Sequence, residues 1–123
     1  KAHDPALHRA LTGADNAQTL ENFARAAARF AERSDPPLVV ASTLLVPGYV
    51  DAQEVGRMAR FIAGFDPDIP YTLLAFAPHF ALRDLGYTTR EEAEAAEAAA
   101  RAAGLTRIRI GNRHLLDVGR LLQ

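Results

Sequence analysis

Few side chains in this sequence combine a reactive type with a place in the chain where chemistry is done. Ser42 and Thr43 are adjacent hydroxyls inside the apolar run 38–46, able to donate to a ligand or to settle on nearby backbone. His79 falls in the stretch 77–88, which reads as a loop after a second apolar run. An imidazole there can trade protons near neutral pH or simply face water. Gly111-Asn112 precedes the last apolar stretch and suits a turn as well as a phosphate held at a helix start. Asp66 and Asp68 flank Pro67, which is turn chemistry rather than a carboxylate dyad. His3, His8 and His114 lack metal-ligand spacing and read as surface or capping residues. The sequence has no cysteine, so thiol catalysis, disulfides and thiolate-held metals are excluded from this chain.

These residues need elements to hold them. The run 38–46 does not alternate polar and apolar, so a strand there has both faces covered, as in a parallel sheet flanked by helices. Pro47-Gly48 stops it. Asp51, with Glu54 three residues on, reads as a capping box opening a helix over 51–65, whose stripe is Val55, Met58, Ala59, Ile62 and Phe65. Upstream, Asp4-Pro5 to Gly13 reads as a helical turn. Asp15 or Asn16 then caps a longer helix with the stripe Leu20, Phe23, Ala24, Ala27 and Phe30. Residues 69–76 form a second strand with Pro70 at its start.

Thr88 or Thr89, with Glu91 or Glu92 three further, caps a helix whose buried face is alanine: Ala93, Ala96, Ala100 and Ala103. Such a helix must lie unusually close to what it covers, and Gly104 sits at its C′ position. Residues 106–110 alternate, with Arg107 and Arg109 opposite Ile108 and Ile110, which is a strand with one polar face. Residues 115–122 read as a final helix or helical turn. The order α, β, α, β, α, β, α predicts parallel strands, adjacent in chain order, with helices on one face. Three strands cannot close a barrel, which takes about eight. The fold class is therefore α/β, either a small open sheet or part of a barrel.

At 123 residues the chain is one domain, with 49% apolar and 24% charged residues, ordinary for a globular protein. A net charge of −1 gives no electrostatic case for nucleic acid or an anionic membrane as partner. No apolar run approaches a membrane span and no signal peptide precedes the fold; without cysteine there is no redox clue to compartment, and the cytoplasm is taken only as a default. With Lys1 rather than Met first, the sequence reads as a piece of something longer.

The residues in order resemble the C-terminal part of a radical S-adenosylmethionine (SAM) enzyme. The group is that of the pyruvate formate-lyase (glycyl-radical) activating enzymes, and the branch is the AmmeMemoRadiSam type. Lys1, His8, Thr12-Gly13 and Asn16 match a strand end with lysine, then histidine, Thr-Gly and asparagine before a helix. Ser42-Thr43, the apolar triplet 44–46, Pro47-Gly48 and Asp51 match the next strand and turn. Residues 66–70 match the aspartate-rich turn into Ile-Pro, Phe76 and Pro78 match Phe-x-Pro, and Gly104-Leu105 with Gly111-Asn112 match the last strand. The match runs from Lys1 to about Leu116 and is specific in its order rather than in any one piece. The chain departs from the pattern at Ala77, where these enzymes often carry a histidine; here His79 comes two residues later.

The resemblance implies a partial (β/α) barrel fragment with about three parallel strands and flanking helices, residues 1–123 being the C-terminal half of a radical SAM partial TIM barrel. It implies an iron–sulfur cluster and SAM as cofactors of the parent protein, the cluster-binding CxxxCxxC loop lying upstream of this chain. SAM would be cleaved to a 5′-deoxyadenosyl radical that abstracts hydrogen, for activating enzymes from a glycine of a partner protein. The site residues carried over are Lys1 towards the SAM carboxylate or a ribose oxygen, Ser42 and Thr43 as small donors, and Phe76 stacked near the adenine. His79 and Asn112 complete the set, Asn112 at the adenine edge. No catalytic residue and no metal ligand falls within the chain, and alone it is expected to be inactive. The other reading is a cluster-free α/β domain that binds a small molecule or protein without chemistry. Cut from the rest of a barrel, Val39, Leu44, Leu45, Leu73 and Leu74 cannot all be covered by helices on one side, so self-association through that face is expected.

Overall fold

The computed structural model describes residues 3–12, 16–32, 37–78 and 85–118. Among these residues four helices and three strands follow in order: α1 (Pro5–Thr12), α2 (Ala17–Ala27), β1 (Ala41–Leu45), α3 (Ala52–Ala63), β2 (Tyr71–Ala75), α4 (Arg90–Ala102) and β3 (Ile108–Gly111). Short 3₁₀ turns lie at Phe30–Glu32 and Arg113–Leu115. The expected last helix, 115–122, is represented among the described residues by the second of these turns and the few residues after it.

The strands make one open parallel sheet in the order β1-β2-β3, as the alternation of elements predicts. Ala41 pairs with Tyr71 and Tyr71 with Ile108; Thr43 pairs with Leu73 and Leu73 with Ile110. Pleating therefore gives two unlike faces. One carries Thr43, Leu45, Tyr71, Leu73, Ala75 and Ile110, all buried. The other carries Ser42, Leu44, Thr72, Leu74 and Arg109, half-buried or exposed.

β1 begins at Ala41, three residues later than the apolar run suggests. A strand extends only where its neighbour offers partners, and β2 starts at Tyr71 because Pro70 has no N–H to give. The Pro70 carbonyl accepts from the Ala41 amide at 2.9 Å, and Val40, just before, is 65% exposed.

The helices gather on the first face. On α4 the alanine stripe is buried as expected at Ala93, Ala96 and Ala100, and it faces α3 and the sheet. A Cβ added at Gly56 of α3 would stand only 3.8 Å from the Ala99 Cβ. On α2, Phe23 packs its ring 5.9 Å from Phe61 of α3 and 6.3 Å from Phe65 just past the end of that helix. Ile62, Ile69 and Leu73 are at most 1% exposed, each contributing about 1.5–3 kcal/mol relative to exposure.

Local signals hold at the caps. The Asp51 carboxylate accepts from the Glu54 amide at 2.9 Å, and Thr89 with Glu92 forms a complete capping box. Gly48 and Gly104 take φ of +81° and +111°, the left-handed region that turns after β1 and α4 require. Asp66 Oδ1 accepts from the Asp68 amide at 2.8 Å, the turn chemistry read from the sequence.

Candidate functional site

Ligands of open α/β sheets sit at the carboxyl ends of the strands, so the rim after Leu45, Ala75 and Gly111 is the first place to look. Pro47-Gly48 turns away from β1 there. Asn112 follows β3 with φ 58°, a left-handed position that asparagine tolerates. Its side-chain amide reaches the Ala75 carbonyl at 3.5 Å, so it spans the ends of β2 and β3. Between β1 and β2 the rim is closed by Thr88. That hydroxyl donates to the Leu45 carbonyl and accepts from the Phe76 amide, both at 2.7 Å, while the Thr88 amide donates to the Phe76 carbonyl. Thr88 is 1% exposed; it stitches two strand ends rather than capping α4, which Thr89 does.

Phe76 is also 1% exposed. Its ring belongs to the core and offers no accessible face for stacking, a correction to the role expected of it. Lys1 and His79 lie outside the described residues.

Ser42 and Thr43 do not act together. One residue apart on a strand, they point to opposite faces. Ser42 is exposed beside Thr72 and Arg109, with which it makes one polar row across the open face. The next row is Leu44, Leu74 and Gly111, where the Leu74 side chain leans so far over Gly111 that a Cβ there would meet it at 2.7 Å. A side chain there would have to push the end of Leu74 aside.

Thr43 faces the helices, is 4% exposed, and shares a 2.7 Å hydrogen bond with the Tyr71 hydroxyl. Burial pushes the Tyr71 phenol up to about 12; the Thr43 hydrogen bond opposes this and the Glu54 carboxylate adds to it. Beside this pair is a cavity of about 180 Å³ between α2, α3 and β1, to which His8 and Asn16 also contribute. The sequence reading put His8 on the surface or at a cap; it is 6% exposed. Its α1 is docked by Glu54, whose Oε1 accepts from the backbone amides of His3 and Asp4 and whose Oε2 accepts from the Arg57 side chain at 3.2 Å. Glu54 therefore completes no capping box with Asp51. Among the described residues no group of histidines and carboxylates could hold a metal ion, and no helix is long and apolar enough to cross a membrane.

Comparison with known protein families, with curated proteins and with solved structures finds no match to this chain.

Two residues of the site escaped the sequence reading. Tyr71 lies inside the second apolar run without a local mark of its role, although a buried tyrosine needs a partner for its hydroxyl; Thr43 stands diagonal to it on the same face once Ala41 and Tyr71 are in register. Thr88 was read only as a cap. Nothing local distinguishes it from Thr89, because its partners are 12 and 43 residues away.

Proposed function

We propose that this chain is the second half of a partial (β/α) barrel belonging to a radical SAM enzyme of the activating-enzyme kind. The observation behind this reading is that three of the matched motifs end their strands at one rim: Pro47-Gly48 after β1, Phe76 and Pro78 after β2, Asn112 after β3. SAM and a reduced iron–sulfur cluster supply the 5′-deoxyadenosyl radical when bound. The donor set fits the two cofactors differently. A chain without cysteine has no thiolates for the cluster, whose ligands belong to the CxxxCxxC loop of the other half. For SAM, the exposed Asn112 offers its amide carbonyl to an adenine amine, and Ser42 offers a hydroxyl on the open face. Thr43 and Phe76 serve as core. Thr88 and Gly111 keep the rim closed and smooth, and so help to exclude water from what binds above it.

The reading frame upstream of Lys1 decides the matter: it should encode CxxxCxxC, and a frame without it overturns the proposal. The parent protein, purified without oxygen and reduced, should release 5′-deoxyadenosine from SAM, with Asn112→Ala raising KM for SAM more than it lowers kcat. The present chain, incubated with iron and sulfide, should show no stoichiometric cluster absorbance.

The second reading, a cluster-free domain that binds a small molecule, is favoured by the cavity on the helix side of the sheet, away from the rim.

A further inference from the structure

The cavity beside Thr43 and Tyr71 has about 180 Å³ of space, somewhat more than the roughly 150 Å³ apolar cavity known to hold a benzene molecule. Its walls are largely apolar, with Leu20 and Phe23 from α2 and Met58, Phe61 and Ile62 from α3. No lysine or arginine lines it.

The polar feature that matters is the hydroxyl pair. Thr43 Oγ1 and Tyr71 Oη stand 2.7 Å apart, and either can be the donor. Two hydroxyls carry two protons, and their mutual bond uses one. No other hydrogen bond is made by either side chain among the described residues. One O–H is therefore left without an acceptor, on residues 4% and 1% exposed, at the wall of a cavity. That donor is left to water or to an acceptor on a ligand within the cavity. The charge environment narrows the choice of acceptor. The Glu54 carboxylate bears on Tyr71 electrostatically, which disfavours a second negative charge nearby.

We propose that this cavity is a binding site for a small neutral molecule with a ring-sized apolar body and one hydrogen-bond acceptor, in chemical class an aryl ketone or aldehyde. The ring lies among Phe23, Met58 and Phe61, and the carbonyl oxygen accepts the spare proton of the Thr43–Tyr71 pair. The site is separate from the rim and independent of the radical chemistry proposed there.

Met58 is the single methionine of the sequence and lines the cavity, so its labelled methyl gives one NMR resonance that reports on occupancy. Acetophenone and ethylbenzene, alike in shape but not in having an acceptor, are titrated into the intact chain. Acetophenone should shift the Met58 methyl saturably and bind about 10-fold more tightly than ethylbenzene, as one hydrogen bond to a buried donor warrants. In the double variant Thr43→Val with Tyr71→Phe this preference should vanish while ethylbenzene still binds; both hydroxyls must go, since either alone keeps a free proton. Benzoate, the anion of similar shape, should bind the wild-type chain at least 10-fold more weakly than acetophenone, a comparison that needs no variant. No saturable shift, equal affinity for acetophenone and ethylbenzene, or a preference that survives in the double variant would overturn the proposal.

Discussion

Thr88 is the residue on which the rim most depends. Replacing it by valine keeps its shape and removes only the hydroxyl, which joins the Leu45 carbonyl of β1 to the Phe76 amide just past β2 through two bonds of 2.7 Å. At 1% exposure the valine methyl that takes its place meets these groups without water to replace the lost partner. A buried polar group deprived of its partner costs about 1–3 kcal/mol, so two such losses amount to about 2–6 kcal/mol. The urea slope for a domain of this size is about 1–3 kcal/mol per molar, and at the middle of that range the loss becomes a midpoint about 1–3 M lower. Thr88→Ser, which keeps the hydroxyl and gives up one methyl, should lose about 1 kcal/mol. Urea unfolding of the three proteins by circular dichroism makes the comparison. If valine proves within about 0.5 kcal/mol of wild type, or serine costs more than valine, the hydroxyl does not hold the strand ends together and the reasoning fails.

Other perturbations read other parts of the fold. The Tyr71 phenol is raised from near 10 to about 12; the neutral phenol therefore contributes stability that is fully present below about pH 10 and is lost as pH rises towards 12, about 3 kcal/mol in all. Stability measured from pH 8 to 12 should fall more steeply in wild type than in Tyr71→Phe, and parallel curves would contradict this. Glu54→Ala removes the acceptor of the His3 and Asp4 amides and should cost about 1.5–3 kcal/mol, with hydrogen exchange at Asp4 accelerating; unchanged exchange would mean that α1 is docked by something else. On the open face Leu44 and Leu74 remain half-buried, and we expect the chain to self-associate through them. Sedimentation velocity over a wide concentration range should show a dimer that Leu44→Lys abolishes, and a wild-type monomer at high concentration counts against it.

What the sequence discloses and what it hides divide along physical lines. Strand order, most of each helix stripe, the Thr89 cap, the Asp66 turn and the close alanine face of α4 all rest on neighbours in sequence or on a single period, and each stands in the structure; Phe65, expected on the stripe of the second long helix, lies past the end of α3 and is 39% exposed. The misreadings concern partners that sequence spacing does not encode. Ser42 and Thr43 look like one pair of donors until the pleat separates them. Glu54 has the spacing of a capping box, yet two backbone amides some fifty residues upstream take its carboxylate. Val39, Leu45 and Leu73 were expected to contribute to an uncovered face, but the register turns Leu45 and Leu73 to the helices and all three are buried. Phe76 fills the core for the same reason that it was noticed, being the large apolar residue at a strand's end.

The Glu54 carboxylate has a consequence for the order of events during synthesis. His3 and Asp4 leave the ribosome well before the residue that receives their amides, which lies 50 positions after Asp4. At about 5–20 residues per second, α1 waits roughly 3–10 s with its apolar side uncovered. Whatever binds nascent apolar segments has that interval in which to act, and a pause in translation between the Asp4 and Glu54 codons would lengthen it.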